Sequence, residues 1–192
     1  MLGLAAILGA LVNIGFFGAF ARMPVALVSL AFYTYPVMIG IVGALFLGEP
    51  LDRVRIGSLV LAVCGTTLAV LGGSGARSLA GGLVVDPLGL ALALGAAASQ
   101  VGLSLVMGRG FRSIPSAHAT IGILGGMAVI FWAGALLTGR VSEMALPLRS
   151  PEAFALVAWM GLITAACSTF LFVIGVRLIG PLLAGILSLF DP

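Results

Sequence analysis

AFYTYPVMIGIVGALFLGEP, residues Ala31–Pro50, is a hydrocarbon-like run with two interruptions. Tyr33-Thr34-Tyr35-Pro36 breaks it early, and Gly48-Glu49-Pro50 ends it. Proline inside a helix removes a backbone donor and frees a carbonyl one turn earlier. Hydrocarbon tolerates such a break only beside protein or a water-lined cavity. Pro36, with three hydroxyls at the same depth, therefore predicts a kinked helix that lines a cavity. The competing reading has Tyr33, Thr34 and Tyr35 satisfying one another inside a packed bundle.

The rest of the chain is of the same kind. Of its 192 residues 61% are hydrophobic and only 8% are charged, whereas about a quarter of a soluble domain is charged because its surface faces water. Long apolar runs separate the charges, which is the pattern of an integral membrane protein. The net charge of +3 comes from nine basic residues, all arginine. They stand singly or in pairs at the ends of apolar runs, with no basic stripe and no interleaved aromatics, so no nucleic acid partner is expected. Cys64 and Cys167 lie deep in apolar runs and read as small buried packing residues. No Cys/His ligand spacing occurs, so no metal and no cofactor is expected. The first residues lack a basic n-region and an A-x-A site, so the first apolar run reads as a span rather than a cleaved signal.

A hydrocarbon core about 30 Å thick takes roughly 20 helical residues. Seven segments fit: A (Leu2 to Ala21), B (Val25 to Leu47), C (Ile56 to Gly73), D (Pro87 to Gly108), E (Ser116 to Thr138), F (Ala153 to Val176) and G (Leu178 onward). Asp86-Pro87 and Ser150-Pro151-Glu152 are helix-start signals, a capping side chain ahead of a first-turn proline. Arg53, Arg55, Arg109, Arg112 and Arg177 sit in shorter connections than Arg22, Arg77, Arg140 and Arg149. Their higher density places the B–C, D–E and F–G connections on the cytoplasmic side. Small residues recur at i, i+4 in segment D, as Gly89/Ala93, Ala91/Gly95 and Gly95/Ser99. In lipid such residues supply close backbone packing.

A repeat is visible when GALVNIGFFGAFARMPVALVSLAFYTYP is laid over TAACSTFLFVIGVRLIGPLLAGILSLFDP. Arg22 falls on Arg177, Phe17 on Phe172 and Asn13 on Ser168; after a one-residue insertion Pro36 falls on Pro192. Segment A then corresponds to F and B to G. F is the fifth helix after A, an odd step, so the copies lie in the membrane with opposite orientation, as in many secondary transporters. Copy one continues past Pro36 through the rest of B and into C, so a five-helix unit is expected to have parts before Met1 and after Pro192.

FYTYPVMIGIVGALFLGEPLDRVRIGSLVLAVCGTTLAVLG resembles the EamA-type repeat of the drug/metabolite transporter superfamily, in its aromatic-rich YP, its LGE and arginine-bearing turn, and the glycine-containing helix that follows. DPLGLALALGAAASQVGLSLVMGR resembles the first helix of the second repeat, and the F–G stretch ending SLFDP its third and fourth helices. The resemblance implies an all-α polytopic membrane helix bundle of inverted five-helix repeats, with about seven spans in this chain. It divides the chain into 1–73, the last three helices of the first repeat; 74–86, an extracytoplasmic linker; and 87–192, a second repeat truncated in its fourth helix. It implies a secondary transporter that works by alternating access and exports a small polar metabolite or amino acid, coupled to protons. The alternative is a non-transporting membrane fragment or assembly partner derived from one.

Asp191 is the one acid deep inside a segment, and an intramembrane carboxylate is a functional-site hypothesis by default, here a proton carrier or a partner for a substrate amine. Asn13, Ser99, Gln100 and Ser168 are mid-segment polar groups. They are read as cavity candidates together with Tyr33, Tyr35 and Pro36, although interhelical hydrogen bonding is the usual explanation of such groups, matched by cavity contact only for Asn13 and Gln100, whose amides both donate and accept. Gly48 and Glu49 read as a structural turn, and Arg22 and Arg177 as helix-end anchors at the headgroups. Trp132 and Trp159 read as belt or packing residues. Enzymatic function is not expected: there is no G-x-S-x-G, His118 is interfacial, and one intramembrane aspartate makes no dyad. The richness in Ala, Gly and Arg without any lysine points to a GC-rich bacterial gene and a plasma membrane.

Overall fold

In lipid, a helix satisfies every backbone group within a single segment, and among the described residues the long apolar segments of this chain are helical. The computed structural model describes residues 1–47, 53–72, 86–111 and 114–188. The helices are α1 (Leu2–Phe20), α2 (Val25–Phe32), α3 (Tyr35–Leu47), α4 (Arg53–Gly72), α5 (Pro87–Gly110) and α6 (Ser116–Leu137), then the short α7 (Val141–Met144), α8 (Pro151–Met160) and α9 (Ser168–Leu187). A 3-10 turn, Leu146–Arg149, precedes α8, and a π-helical stretch, Gly161–Cys167, joins α8 to α9. Among the described residues, five stretches are long and apolar enough to cross a membrane: Leu2–Phe20, Val25–Leu45, Pro87–Gly110, Ser116–Leu137 and Pro151–Leu187. The chain is an integral membrane protein with an all-α fold.

Both predicted helix starts are capped. Asp86 accepts the Gly89 N–H at 3.0 Å and Ser150 accepts the Ala153 N–H at 3.0 Å, each satisfying one of the orphan donors of a first turn.

The boundary expected between segments F and G moves. The helix runs through Arg177 and Leu178 and breaks at Gly180 (φ 86, ψ 164), with Pro181 opening the next part. This break is a reversal rather than a bend. A methyl group on Gly175 would lie 3.6 Å from the Ala184 Cβ, whereas nine residues of continuous helix would hold them about 13 Å apart. Pro151–Leu187 is therefore one span and the start of a second. The positive φ is open to glycine and strained for any other residue.

α5 is the hub, packed against α1, α2, α3 and α9. Its buried face is built from small residues, including Gly89, Ala93, Ala96, Ala97 and Ser104, while Leu88, Leu90 and Leu94 face outward. α1 has the same arrangement. Ala5, Ala6, Gly9 and Ala10 are buried, whereas Leu4 (48%), Ile7 (51%), Leu11 (48%) and Ile14 (52%) are exposed. Water would reverse this order. Lipid does not, because large side chains gain nothing by leaving it and small ones allow backbones to touch. The approach is close: a methyl on Gly15 would lie 2.8 Å from the Leu92 carbonyl oxygen, and one on Gly126 of α6 2.5 Å from the Ala6 Cβ. Of the small-residue pairs read from segment D, Gly89/Ala93 is used in this packing; Ala91 and Gly95 face out. Cys64 and Cys167 are exposed rather than buried, a correction with the same cause. On a lipid-facing surface a thiol needs no burial.

Candidate functional site

The break at Tyr33–Pro36 is formed as the residues suggest. α2 ends at Phe32, and α3 begins at Tyr35 with Pro36 in its first turn, where a missing N–H does least harm. The Thr34 hydroxyl donates to the Ala31 carbonyl at 2.7 Å, supplying a side-chain donor where the backbone ladder stops. Phe16 of α1 stacks against Phe32 with ring centroids 4.7 Å apart, and Phe32 lies 5.4 Å from Tyr35. These contacts fix the break against α1.

Tyr35 is buried, and its hydroxyl reaches the second part of α9. It donates to the Gly185 carbonyl at 3.2 Å and is hydrogen bonded to the Ser188 hydroxyl, which itself donates to Gly185 O at 2.8 Å. Gly185 permits the approach: a Cβ there would lie 3.3 Å from Tyr35 Cε2 and 3.8 Å from the Pro36 Cβ. The YTYP break thus touches the turn of α9 that precedes LFDP, the stretch with which YTYP is aligned in the repeat.

A cavity of about 720 Å³ opens beside this contact, between α1, the α2–α3 break, α5, α6 and α9. Asn13, Tyr33, Tyr35, Gln100 and Ser168 all line it. Ser168 is exposed and Tyr35 buried, so the cavity runs from an open side at α9 to a closed end at the break. The Asn13 amide nitrogen donates to its own helix, to Gly9 O at 2.9 Å. Among the described residues, the Gln100 amide and the Tyr33 and Ser168 hydroxyls have no hydrogen-bond partner. A second, apolar cavity of about 350 Å³ lies between the break and α4, and Tyr33 borders both.

The other candidates fall elsewhere. Ser99 is not part of the cavity lining; its hydroxyl bonds back to Gly95 O at 2.9 Å. Pro36 is buried behind the wall against Gly185 rather than in the lining. Gly48, Glu49, Asp191 and Pro192 lie outside the described residues. Arg22 and Arg177 make contacts within the protein. Arg22 pairs with Asp86 at 3.3 Å, the residue that caps α5, and Arg177 donates to Ser116 Oγ at 2.7 Å, the first residue of α6. Each arginine ties down the start of a neighbouring helix. The two ties lie at opposite ends of α5, whose 24 residues extend about 36 Å.

Thr169, Ser188, Met107 and Met127 also line the cavity and were missed as candidates. Thr169 and Ser188 adjoin features already singled out, while the methionines carry no signal apart from core residues. The π-helical Gly161–Cys167 was missed too; such stretches occur mainly as insertions at functional sites, and this one ends at Ser168.

No curated protein and no solved structure matches the chain. The model of the EamA-like transporter family matches residues 1–71, from α1 nearly to the end of α4, and over that stretch the chain is similar to this family.

Proposed function

We propose that the protein is a secondary transporter that moves a small polar metabolite, amino acids and their relatives included, by alternating access of two inverted repeats, with the cavity as its site. One observation carries the reading. Polar side chains from α1, the α2–α3 break, α5 and α9 converge on a single cavity at a broken helix, where transporters of repeat architecture hold their substrates. The repeat is supported by position. Asn13 and Ser168, aligned in sequence, line the same cavity. Arg22 and Arg177, also aligned, secure helix starts at opposite ends of α5. After each arginine the chain leaves the helix and restarts on a proline, Pro24 or Pro181. Export across a bacterial plasma membrane, with Asp191 carrying the coupled proton, completes the proposal.

Counterflow in proteoliposomes tests it. Vesicles loaded with a panel of metabolites should accumulate the labelled form of at least one, and the double variant Asn13→Ala/Gln100→Ala should lose most of that exchange. No exchange above empty vesicles, or exchange at the wild-type rate in the double variant, would sink the reading. Asp191→Asn should abolish any dependence on a pH gradient; unchanged dependence removes Asp191 from the mechanism.

A further inference from the structure

Every polar side chain among the described residues of the cavity lining is neutral. Asn13, Tyr33, Gln100, Ser168 and Thr169 offer amides and hydroxyls, and no lining residue among those described is Asp, Glu, His, Lys or Arg. The same lining holds Phe32, Phe172, Met107 and Met127, side chains suited to an apolar or aromatic body. Two of the described arginines near the bundle ends are held in contacts of their own: Arg22 to Asp86 and Arg177 to Ser116. Among the described residues a charge taken from water into such a site would find no counter-charge, whereas a neutral amide or hydroxyl would find matched partners. Carboxamides both donate and accept, and the Gln100 amide has no partner among the described residues.

We infer that the cavity takes an uncharged amphipathic solute, one with a hydrogen-bond donor and an acceptor beside an apolar body. The inference rests on the cavity's being the transport site, and it narrows the polar metabolites proposed above to their uncharged members. The rival is an anion drawn to the first turn of α3, since helix N-termini favour negative charge. Pro36 in that turn has no N–H to offer, which weakens this claim.

Four probes on one scaffold separate the cases: N-acetylphenylalaninamide (neutral), phenylalanine (zwitterion), phenylalaninamide (cation) and N-acetylphenylalanine (anion). Binding to the detergent-solubilised protein is measured by calorimetry. The neutral probe should bind about tenfold or more tightly than each of the others, and Gln100→Ala should weaken it by about tenfold, the equivalent of one hydrogen bond. Gln100→Glu, at mildly alkaline pH, should transfer the preference to the cation, a gain that an unfolded variant could not produce. Zwitterion or anion binding as tight as the neutral probe overturns the inference and leaves the cavity as a site. Binding of none of the four overturns both. A cation preference already present in the unaltered protein also overturns it.

Discussion

The seam between α1, α5 and α6 and the cavity beside it are built from the same stretches of helix, yet they treat polar groups in opposite ways. In the seam, hydroxyls return to their own helix. Ser104 donates to Gln100 O at 2.8 Å and Thr120 to Ser116 O at 3.0 Å. Nothing is left over, and the helices touch through glycine and alanine. In the cavity, a few residues away on α5 and α9, Gln100, Ser168 and Thr169 make no such bond among the described residues. One region uses its chemistry to hold the fold; the other commits Asn13, Tyr35 and Ser188 to the protein but keeps the rest for something that is not protein. Satisfied groups are what a lipid-embedded seam requires, because an unpaired polar group there is penalised. Groups without partners persist where water or a solute can reach them.

The sharpest way to break this contrast is to crowd the seam. Gly15→Val should destabilise the protein by about 3 kcal/mol, since its branch would press on the Leu92 carbonyl. A large loss of midpoint in denaturing-detergent unfolding would show it, and an unchanged midpoint would mean that α1 and α5 are not in contact. Gly180→Ala comes next, at about 1–2 kcal/mol, from the left-handed backbone it would have to adopt; the same unfolding curve reads it. Asp86→Ala removes both a cap and an ion pair. About 1–2 kcal/mol is expected, mostly from the cap, because Arg22 and Asp86 side chains are 47% and 31% exposed and such pairs contribute little. Asp86→Asn should keep most of that stability; if it behaves like alanine, the pair outweighs the cap.

Tyr35→Phe lies at the border of the two regions. It should lose about 1 kcal/mol, because Ser188 still has Gly185 O to bond. At the small end, Ser168→Ala should leave stability within about 0.5 kcal/mol of the parent yet lower counterflow several-fold. Ser99→Ala, outside the cavity, should change neither. A Ser168→Ala variant that unfolds early while transporting normally would reverse the assignment of the two regions.

The break at Tyr33–Pro36 could be read directly, because proline and hydroxyls in an apolar run have few other uses. The convergence of Asn13, Tyr33, Tyr35, Gln100 and Ser168 was anticipated only as a set of candidates; Ser99, next to Gln100 and chemically alike, turned out to face away. A helix that is apolar all round gives no periodicity from which to choose a face. The boundary near Arg177 was misplaced for a related reason. A charge was taken as the end of a span, but a long arginine side chain can stay within a helix while its head finds Ser116. The true reversal was written as Gly180-Pro181 in the same stretch.

Composition and the scarcity of charge alone determined that this is a membrane protein of helices, because hydrocarbon admits no other continuous backbone for such runs. The proline determined where one of those helices breaks. Which small residues touch, which polar ones look into a cavity, and how Tyr35 comes to share a hydrogen bond with the far part of α9 were decided by tertiary packing. Those outcomes depend on helix rotation and proximity, and an evenly apolar sequence leaves rotation open until neighbouring helices close on the face where their backbones can approach.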